Sequence, residues 1–580
     1  VTGTADDPGD DLMDDLGDDS GDDLAARIAP HVGLLYPDGH AEVTRRLVRL
    51  ADAHAAALRG RTVPSPTHRT SCLITYADGI RRRDEAPLHT LAAFLREQVG
   101  EVLSDVHLLP MFPWTSDDGF AVVDHRVVNP SLGSWDDVAE LAADRTVMFD
   151  FVANHTSSHS PWFLGWLAGD PAYDGFYLEE DPGFDVSRVV RPRTTPLFHP
   201  FERPDGSTVR AWTTFGADQV DVDVRHPGAL VELTDVLLGY LGRGASAVRL
   251  DAIGFLWKES GTTCLHLPQT HAVIKVWRAL VEHVAPGARL LTETNVPHAE
   301  NISYFGDGHD EAHLVYQFAL PPLVLHSFVA QSTARLSEWA GGVGPVSDTA
   351  TWFNFLASHD GIGMRATEGI LDDAERDALV QRTHSHGGRV SWAGRPDGSR
   401  AVYELNLSYL DALCTVDEAG DPAVLAAKAL AAHSILFAFL GVPAIYYHSL
   451  VGSPPDLEGM VTSRINRRIN RAVLDADRLA EELRDDPRRR AVFDGMRHLM
   501  DVRRRHEAFS PFGTQRVLRL DDRVFVLVRG EGTADELVCV TNVTGEEITL
   551  PLSGTDVVTG EHADPLVVGA WGYAWLRPDS

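Results

Sequence analysis

The chain has 580 residues, 44% of them hydrophobic and 23% charged, the make-up of an ordinary globular protein long enough for several domains or one large barrel. Acidic side chains number 84 and basic ones 51, for a formal charge of −33, which excludes nucleic-acid binding through bulk electrostatics. Four scattered cysteines (Cys72, Cys264, Cys414, Cys539) without a CxxC pair indicate neither a disulfide framework nor a structural zinc site, so a reducing, cytoplasmic setting is expected.

Ten aspartates fall within residues 6–23, with almost nothing apolar between them, and predict a disordered acidic tail over 1–23. No basic segment followed by an apolar one opens the chain, so export is not expected. Residues 24–68 carry apolar positions at helical spacing and close on a Pro-rich link at 62–67. Short apolar runs then recur at 72–76, 106–112, 146–152, 247–253, 290–294, 313–320, 351–357 and 442–448, most of them separated by amphipathic stretches such as WDDVAELAAD. Eight strands alternating with helices predict an α/β fold, a (β/α)8 TIM barrel over 69–155 and 226–509. The gap of about 90 residues between the third and fourth runs is too long for one crossover helix, so 156–225 is read as an inserted subdomain. The long apolar run near 429–447 contains His433, Gly441 and Pro443 and reads as a buried helix followed by a strand, not a membrane span. Beyond 510, alternating segments such as RVFVLVRG and ELVCVTNVT predict a small antiparallel β domain over 510–580.

Barrel enzymes carry their chemistry where strands stop at the carboxyl end. Strand three ends MFDFVANH, strand four AVRLDAIG, strand five LLTETN and strand seven FNFLASHD, which gathers Asp150, His155, Arg249, Asp251, Glu293, His359 and Asp360 at one rim. Clustered carboxylates are costly unless paired or used, and glycoside cleavage is chemistry that uses them. Asp251 lies two residues after Arg249, on the same side of the strand, so the guanidinium should hold it ionised as a nucleophile. Glu293 sits in an apolar run with no cation beside it in sequence, which favours its neutral form and a role as general acid. Asp360 is the third carboxylate, placed to stabilise positive charge or grip sugar hydroxyls. A retaining mechanism predicts about 5–5.5 Å between the first two carboxylates.

MFDFVANH, AVRLDA, TETN and LASHD, in that order, resemble the four signature regions of glycoside hydrolase family 13, the alpha-amylase clan, across roughly residues 70–510. LLPMFPWTSDDGF, QVDVDV, HDGIG and YELNLSYLDAL are similar to its sucrose-phosphorylase branch, and GTTCLHLPQTH, TETNVPHAENISYFGDG and RRINR look most like the glucosylglycerate phosphorylases within it. The resemblance implies Asp251 as nucleophile, Glu293 as acid/base and Asp360 as transition-state stabiliser. It implies a glucose subsite of Asp117, Phe120, His155, Phe215, Arg249 and His359, with Arg471 reaching the sugar hydroxyls. Asn295 stands where sucrose phosphorylases usually carry His.

Phosphorolysis needs an anion held beside a glucosyl-enzyme while water is denied the same approach. Only three of the 51 basic residues are lysines, so that site must be built from arginine. Candidates are Arg188, Arg191 and Arg193 in the inserted subdomain and Arg464, Arg467, Arg468 and Arg471 around RRINR; solvated surface pairs are the plain alternative. The resemblance favours Arg193 for phosphate, then Arg191, and makes Tyr403 and Glu404 part of a mobile acceptor-side loop. His266 and His271 are five residues apart, a spacing that suits no zinc pair, so neither metal nor cofactor is expected. The expected partners are a small sugar and inorganic phosphate. The expected reaction is phosphorolysis of an α-glucoside, first 2-O-α-D-glucosylglycerate, to α-D-glucose 1-phosphate and D-glycerate. Sucrose or sucrose 6′-phosphate phosphorolysis, or α-glucosidase and transglucosylase action, stay open as alternatives.

Overall fold

The computed structural model describes residues 19–394 and 400–579; the part of the acidic tail up to residue 18 lies outside them. The eight apolar runs become eight parallel strands of a closed barrel: β1 (Cys72–Thr75), β2 (Asp105–Leu108), β3 (Thr146–Phe151), β4 (Ala245–Leu250), β5 (Arg289–Thr292), β6 (Leu314–Tyr316), β7 (Thr351–Asn354) and β8 (Val442–Tyr446). Each strand pairs with its neighbours in chain order, and β8 returns to β1 through Cys72 opposite Ala444. Strands buried on both faces, by the barrel interior and by the helical ring, leave no room for alternation, and continuous runs such as CLIT and VPAIY result.

Helix α1 (Asp19–Leu35) starts before residue 24, where the helical reading began; it runs one turn upstream of its first buried side chain, Leu24. With α2 (His40–Ala57) it forms an antiparallel pair against the outer faces of α3 (Pro227–Gly242) and α4 (Pro268–Val284). Ile28, Val32, Leu47 and Ala51 are fully buried there, and Tyr36 donates its hydroxyl to the Val224 carbonyl at 2.6 Å.

Between β3 and β4 the chain makes a small body of its own. A hairpin of Phe198–Glu202 and Thr208–Trp212 packs Phe198 and Trp212 with Leu178, Val189 and Leu197. After β7, a three-stranded sheet of Ile362–Gly363, Arg389–Gly394 and Arg400–Asn406 rises over the barrel mouth. Beyond the barrel, Val524–Arg529 pairs with Leu537–Asn542 inside a six-stranded antiparallel sheet. Its alternation serves two cores: Val524, Val526 and Val528 face one, while Phe525 and Leu527 join the barrel's. Among the described residues, no helix is long and apolar enough to cross a membrane.

Candidate active site

Strand register brings the charged residues together. Asp150 on β3 lies opposite Arg249 on β4, and Arg249 Nη1 donates to both Asp150 oxygens at 2.8 and 2.9 Å. Thr292 on β5 lies opposite Leu250, so the next residues outward, Asp251 and Glu293, emerge side by side. Arg249 Nη1 also donates to Asp251 Oδ1 at 2.9 Å, while its Nη2 lies 3.8 Å from Glu293 Oε2. The backbone N–H of Ala252, at left-handed φ 48°, donates to the same Glu293 oxygen at 3.0 Å.

These contacts correct two expectations. Glu293 does have a cation nearby, because pairing of β4 with β5 supplies one that sequence adjacency cannot show. Asp251 is not simply held ionised: Arg249 is shared with Asp150, and burial pushes the Asp251 and Glu293 carboxyls up, with Arg249 opposing in both cases. One guanidinium cannot neutralise three buried carboxylates, so burial favours a proton on one of Asp251 and Glu293. The direct 2.9 Å bond to Asp251, against 3.8 Å to Glu293, favours that proton on Glu293.

The third carboxylate has its own cations. Arg467 Nη1 lies 2.6 Å from Asp360 and Arg471 Nη2 3.4 Å from it; burial is outweighed by these charges, and Asp360 stays below the usual carboxylate range. Arg467 also grips Glu404 with two bonds, at 3.0 and 2.7 Å. Arg471 bonds Asp118 at 2.7 Å and the His359 carbonyl at 2.9 Å. His359 stacks on Phe120 with centroids 4.8 Å apart, and burial followed by the nearby guanidinium charges keeps its ring neutral. His155 donates to the Phe120 carbonyl at 2.9 Å and packs at 5.2 Å from Phe215.

One cavity of about 270 Å³ unites most of this set, room enough for a small glycoside. Asp251, Glu293, Asp360, Asp117, Phe120, His155, Phe215, His359, Arg191, Arg193, Asn295, Tyr403 and Glu404 all line it. Two expected subsite residues do not. Arg249 lies beneath the floor with its charge committed to carboxylates, and Arg471 sits behind Asp360, facing a separate small cleft beside Tyr76 and Trp114. Arg467, one of the candidate anion-site arginines around RRINR, takes the cavity position instead. Arg365 and Glu368 also face the cavity, and only the fold of the segment after β7 reveals them. His266 and His271 form no pair: one ring bonds the Tyr304 hydroxyl at 2.6 Å, the other Glu311 at 2.7 Å.

Comparison with known proteins agrees with this geometry. The alpha amylase catalytic domain pattern matches residues 103–360. A glucosylglycerate phosphorylase of Spirochaeta thermophila is 47% identical over 88% of this chain and 90% of its own, and one of Escherichia coli is 41% identical over 87% and 91%. A sucrose phosphorylase of Agrobacterium vitis is 31% identical over 76% and 88%. Among solved structures, the sucrose 6F-phosphate phosphorylase of Thermoanaerobacter thermosaccharolyticum superposes with a TM-score of 0.71 at 24% identity, covering 82% of this chain and 94% of that one, a likeness of fold. The chain belongs to the alpha-amylase family of glycoside hydrolases, in the branch of the glucosylglycerate phosphorylases.

Proposed function

We propose that the protein is a retaining α-glucosyl phosphorylase that converts 2-O-α-D-glucosylglycerate and inorganic phosphate into α-D-glucose 1-phosphate and D-glycerate. Asp251 attacks the anomeric carbon while Glu293 gives its proton to the glyceryl oxygen, and D-glycerate departs. Phosphate then attacks the β-linked glucosyl-enzyme, Glu293 takes the proton back, and two inversions give net retention. Asp360, held ionised by Arg467 and Arg471, stabilises the cationic character that develops at the sugar between those steps.

The observation that carries this reading is the meeting in one cavity of the Asp251 and Glu293 carboxylates with arginines that, among the described residues, no carboxylate claims. Among the described residues neither Arg191 nor Arg193 makes an ion pair, although 84 acids are available in the chain. A hydrolase has no use for spare guanidinium groups beside its nucleophile, whereas a phosphorylase needs them to outbid a protein field that repels anions. Arg193, stacked 5.8 Å above the Tyr403 ring, is the phosphate ligand, with Arg191 beside it. Asn295 lines the acceptor side with a buried side-chain oxygen that has no hydrogen-bond partner among the described residues. The cytoplasm is the site of action, in keeping with four buried, unpaired cysteines.

The test offers α-D-glucose 1-phosphate with D-glycerate, glycerol, fructose or fructose 6-phosphate and reads phosphate release. Fastest release with D-glycerate is expected. Preference for fructose or its phosphate would move the assignment to the sucrose-type enzymes, and glucose formation without any phosphate requirement in the cleavage direction would make the protein a hydrolase.

A further inference from the structure

We propose that Arg365 selects for an acceptor carrying a carboxylate, by pairing with the carboxylate of D-glycerate in the cavity. The inference rests on the phosphorylase reading above and supplies a partner for a group that reading leaves without one. Glucosylglycerate brings a charge of its own, and phosphate takes the vacated space only after glycerate has gone. The cavity therefore receives two different anions in turn.

Among the described residues, four guanidinium groups line it: Arg191, Arg193, Arg365 and Arg467. Arg467 is fully engaged by Asp360 and Glu404. Arg191 is half-buried and donates to the Thr195 carbonyl. Arg193 is close enough to the catalytic carboxylates for its charge to bear on Asp360, which suits a ligand for the phosphate that must reach the anomeric carbon. Arg365 comes from a different segment, the one after β7, and its charge bears on His266, beside Leu265 of the cavity lining. The carboxylate sits on the carbon that bears the glyceryl oxygen, and with Arg193 given to phosphate, Arg365 is the remaining cavity arginine, among the described residues, whose guanidinium makes no hydrogen bond.

The side chain is also presented on a fixed mount. Arg365 opens the short 3-10 turn Arg365–Thr367 directly after the strand Ile362–Gly363, which pairs with Glu404 and Leu405. The Met364 N–H bonds the Tyr403 carbonyl at 2.9 Å, Thr367 closes back on the Met364 carbonyl at 2.7 Å, and Ala366 and Thr367 are buried. Above that mount the guanidinium makes no hydrogen bond among the described residues. Its nearest acid is Glu368, 3.9 Å away, a contact too long for a hydrogen bond, between side chains 23% and 34% exposed. Pairing with glycerate exchanges that loose contact for a two-point guanidinium–carboxylate fork. Fructose and glycerol have no carboxylate to make the exchange.

The experiment compares the full-length wild type with Arg365→Gln and Arg365→Lys, using α-D-glucose 1-phosphate with D-glycerate or glycerol as acceptor, and arsenolysis of α-D-glucose 1-phosphate as a reporter of the phosphate position. The Gln variant should lose about ten- to a hundredfold in kcat/KM for D-glycerate, mainly through KM, the size expected for a charge-assisted bond to a partly buried anion. The glycerate-to-glycerol ratio should fall by a similar factor, Lys should recover part of it, and arsenolysis should fall much less. An unchanged ratio overturns the proposal, as does a loss of arsenolysis as large as the loss with glycerate, which would give Arg365 to phosphate. If the Gln variant melts early, Arg365→Met, which keeps the apolar stem, carries the same comparison. A wild type that ignores D-glycerate defeats the underlying reading instead, a result visible before any variant is made.

Discussion

Glu293 sets the pH behaviour of the first step. Burial raises its carboxyl, so the protonated acid needed to expel glycerate persists toward neutral pH and is lost as pH climbs through its pKa. Cleavage of glucosylglycerate should therefore decline on the alkaline side, and Glu293→Gln should lose that limb along with most of its activity in a pH–rate profile. A second prediction concerns Gly363. A Cβ there meets the Asn295 side chain at 2.6–2.7 Å, so Gly363→Ala must displace Asn295. The acceptor KM should rise several-fold while the melting temperature falls by an amount matching about 1–3 kcal/mol of overpacking; unchanged acceptor kinetics would detach Asn295 from the acceptor side. At this scale the sequence shows which residues stand at strand ends, because polarity breaks an apolar run visibly there. Partnership across strands is what it hides: Arg249 reads as Asp251's cation, yet register shares it with Asp150 and brings it near Glu293. Arg467 and Arg471 are four positions apart in one motif, and only the path of that loop decides which of them faces the cavity.

The α1–α2 pair is an outer buttress of the barrel, and its energetics are those of buried aliphatic contacts. Ile28→Ala removes a fully buried side chain and should cost about 2–4 kcal/mol in denaturant unfolding, with kcat and KM nearly unchanged because the pair packs on α3 and α4, away from the cavity. Glu282 on α4 adds a pH-dependent part. Burial pushes its carboxyl up but is outweighed by hydrogen bonds from His313 and Arg27 and by the Arg278 charge, which leave it at about 2. A depressed carboxyl stabilises the fold above its unfolded pKa of about 4.3 and loses that contribution as pH falls toward 2. Melting temperatures measured from pH 5 down to pH 2 should fall less steeply in Glu282→Gln than in the wild type, because the variant lacks a carboxyl whose pKa is depressed on folding. All eight barrel strands are legible as apolar runs because parallel barrel strands are buried on both faces. The three-stranded sheet over the mouth is not, since its strands at 389–394 and 400–406 mix polar and apolar residues, many at half-buried positions, and the third strand, Ile362–Gly363, pairs with Glu404 and Leu405 about 40 residues away.

For the whole molecule, the net charge of −33 opposes an enzyme whose two acceptors are both anions. Raising ionic strength with KCl from low values toward about 0.15 M should increase kcat/KM for D-glycerate, because screening of like-charge repulsion speeds encounter, while glycerol should respond little. A fall for glycerate alone would mean that the local arginines, and not the overall field, govern approach. Composition makes the repulsion plain, but the answer to it depends on which arginines escape pairing with so many acids, and that is settled only by folding. The central claim is that Asp251 forms a covalent bond to glucose beside Glu293. Glu293→Gln incubated with α-D-glucosyl fluoride, quenched in acid and mapped by peptide mass spectrometry, tests it directly: one anhydroglucose unit is expected on the peptide containing Asp251, removed by added azide as an α-glucosyl azide. An unlabelled peptide under turnover conditions, or a label on another carboxylate, would contradict it.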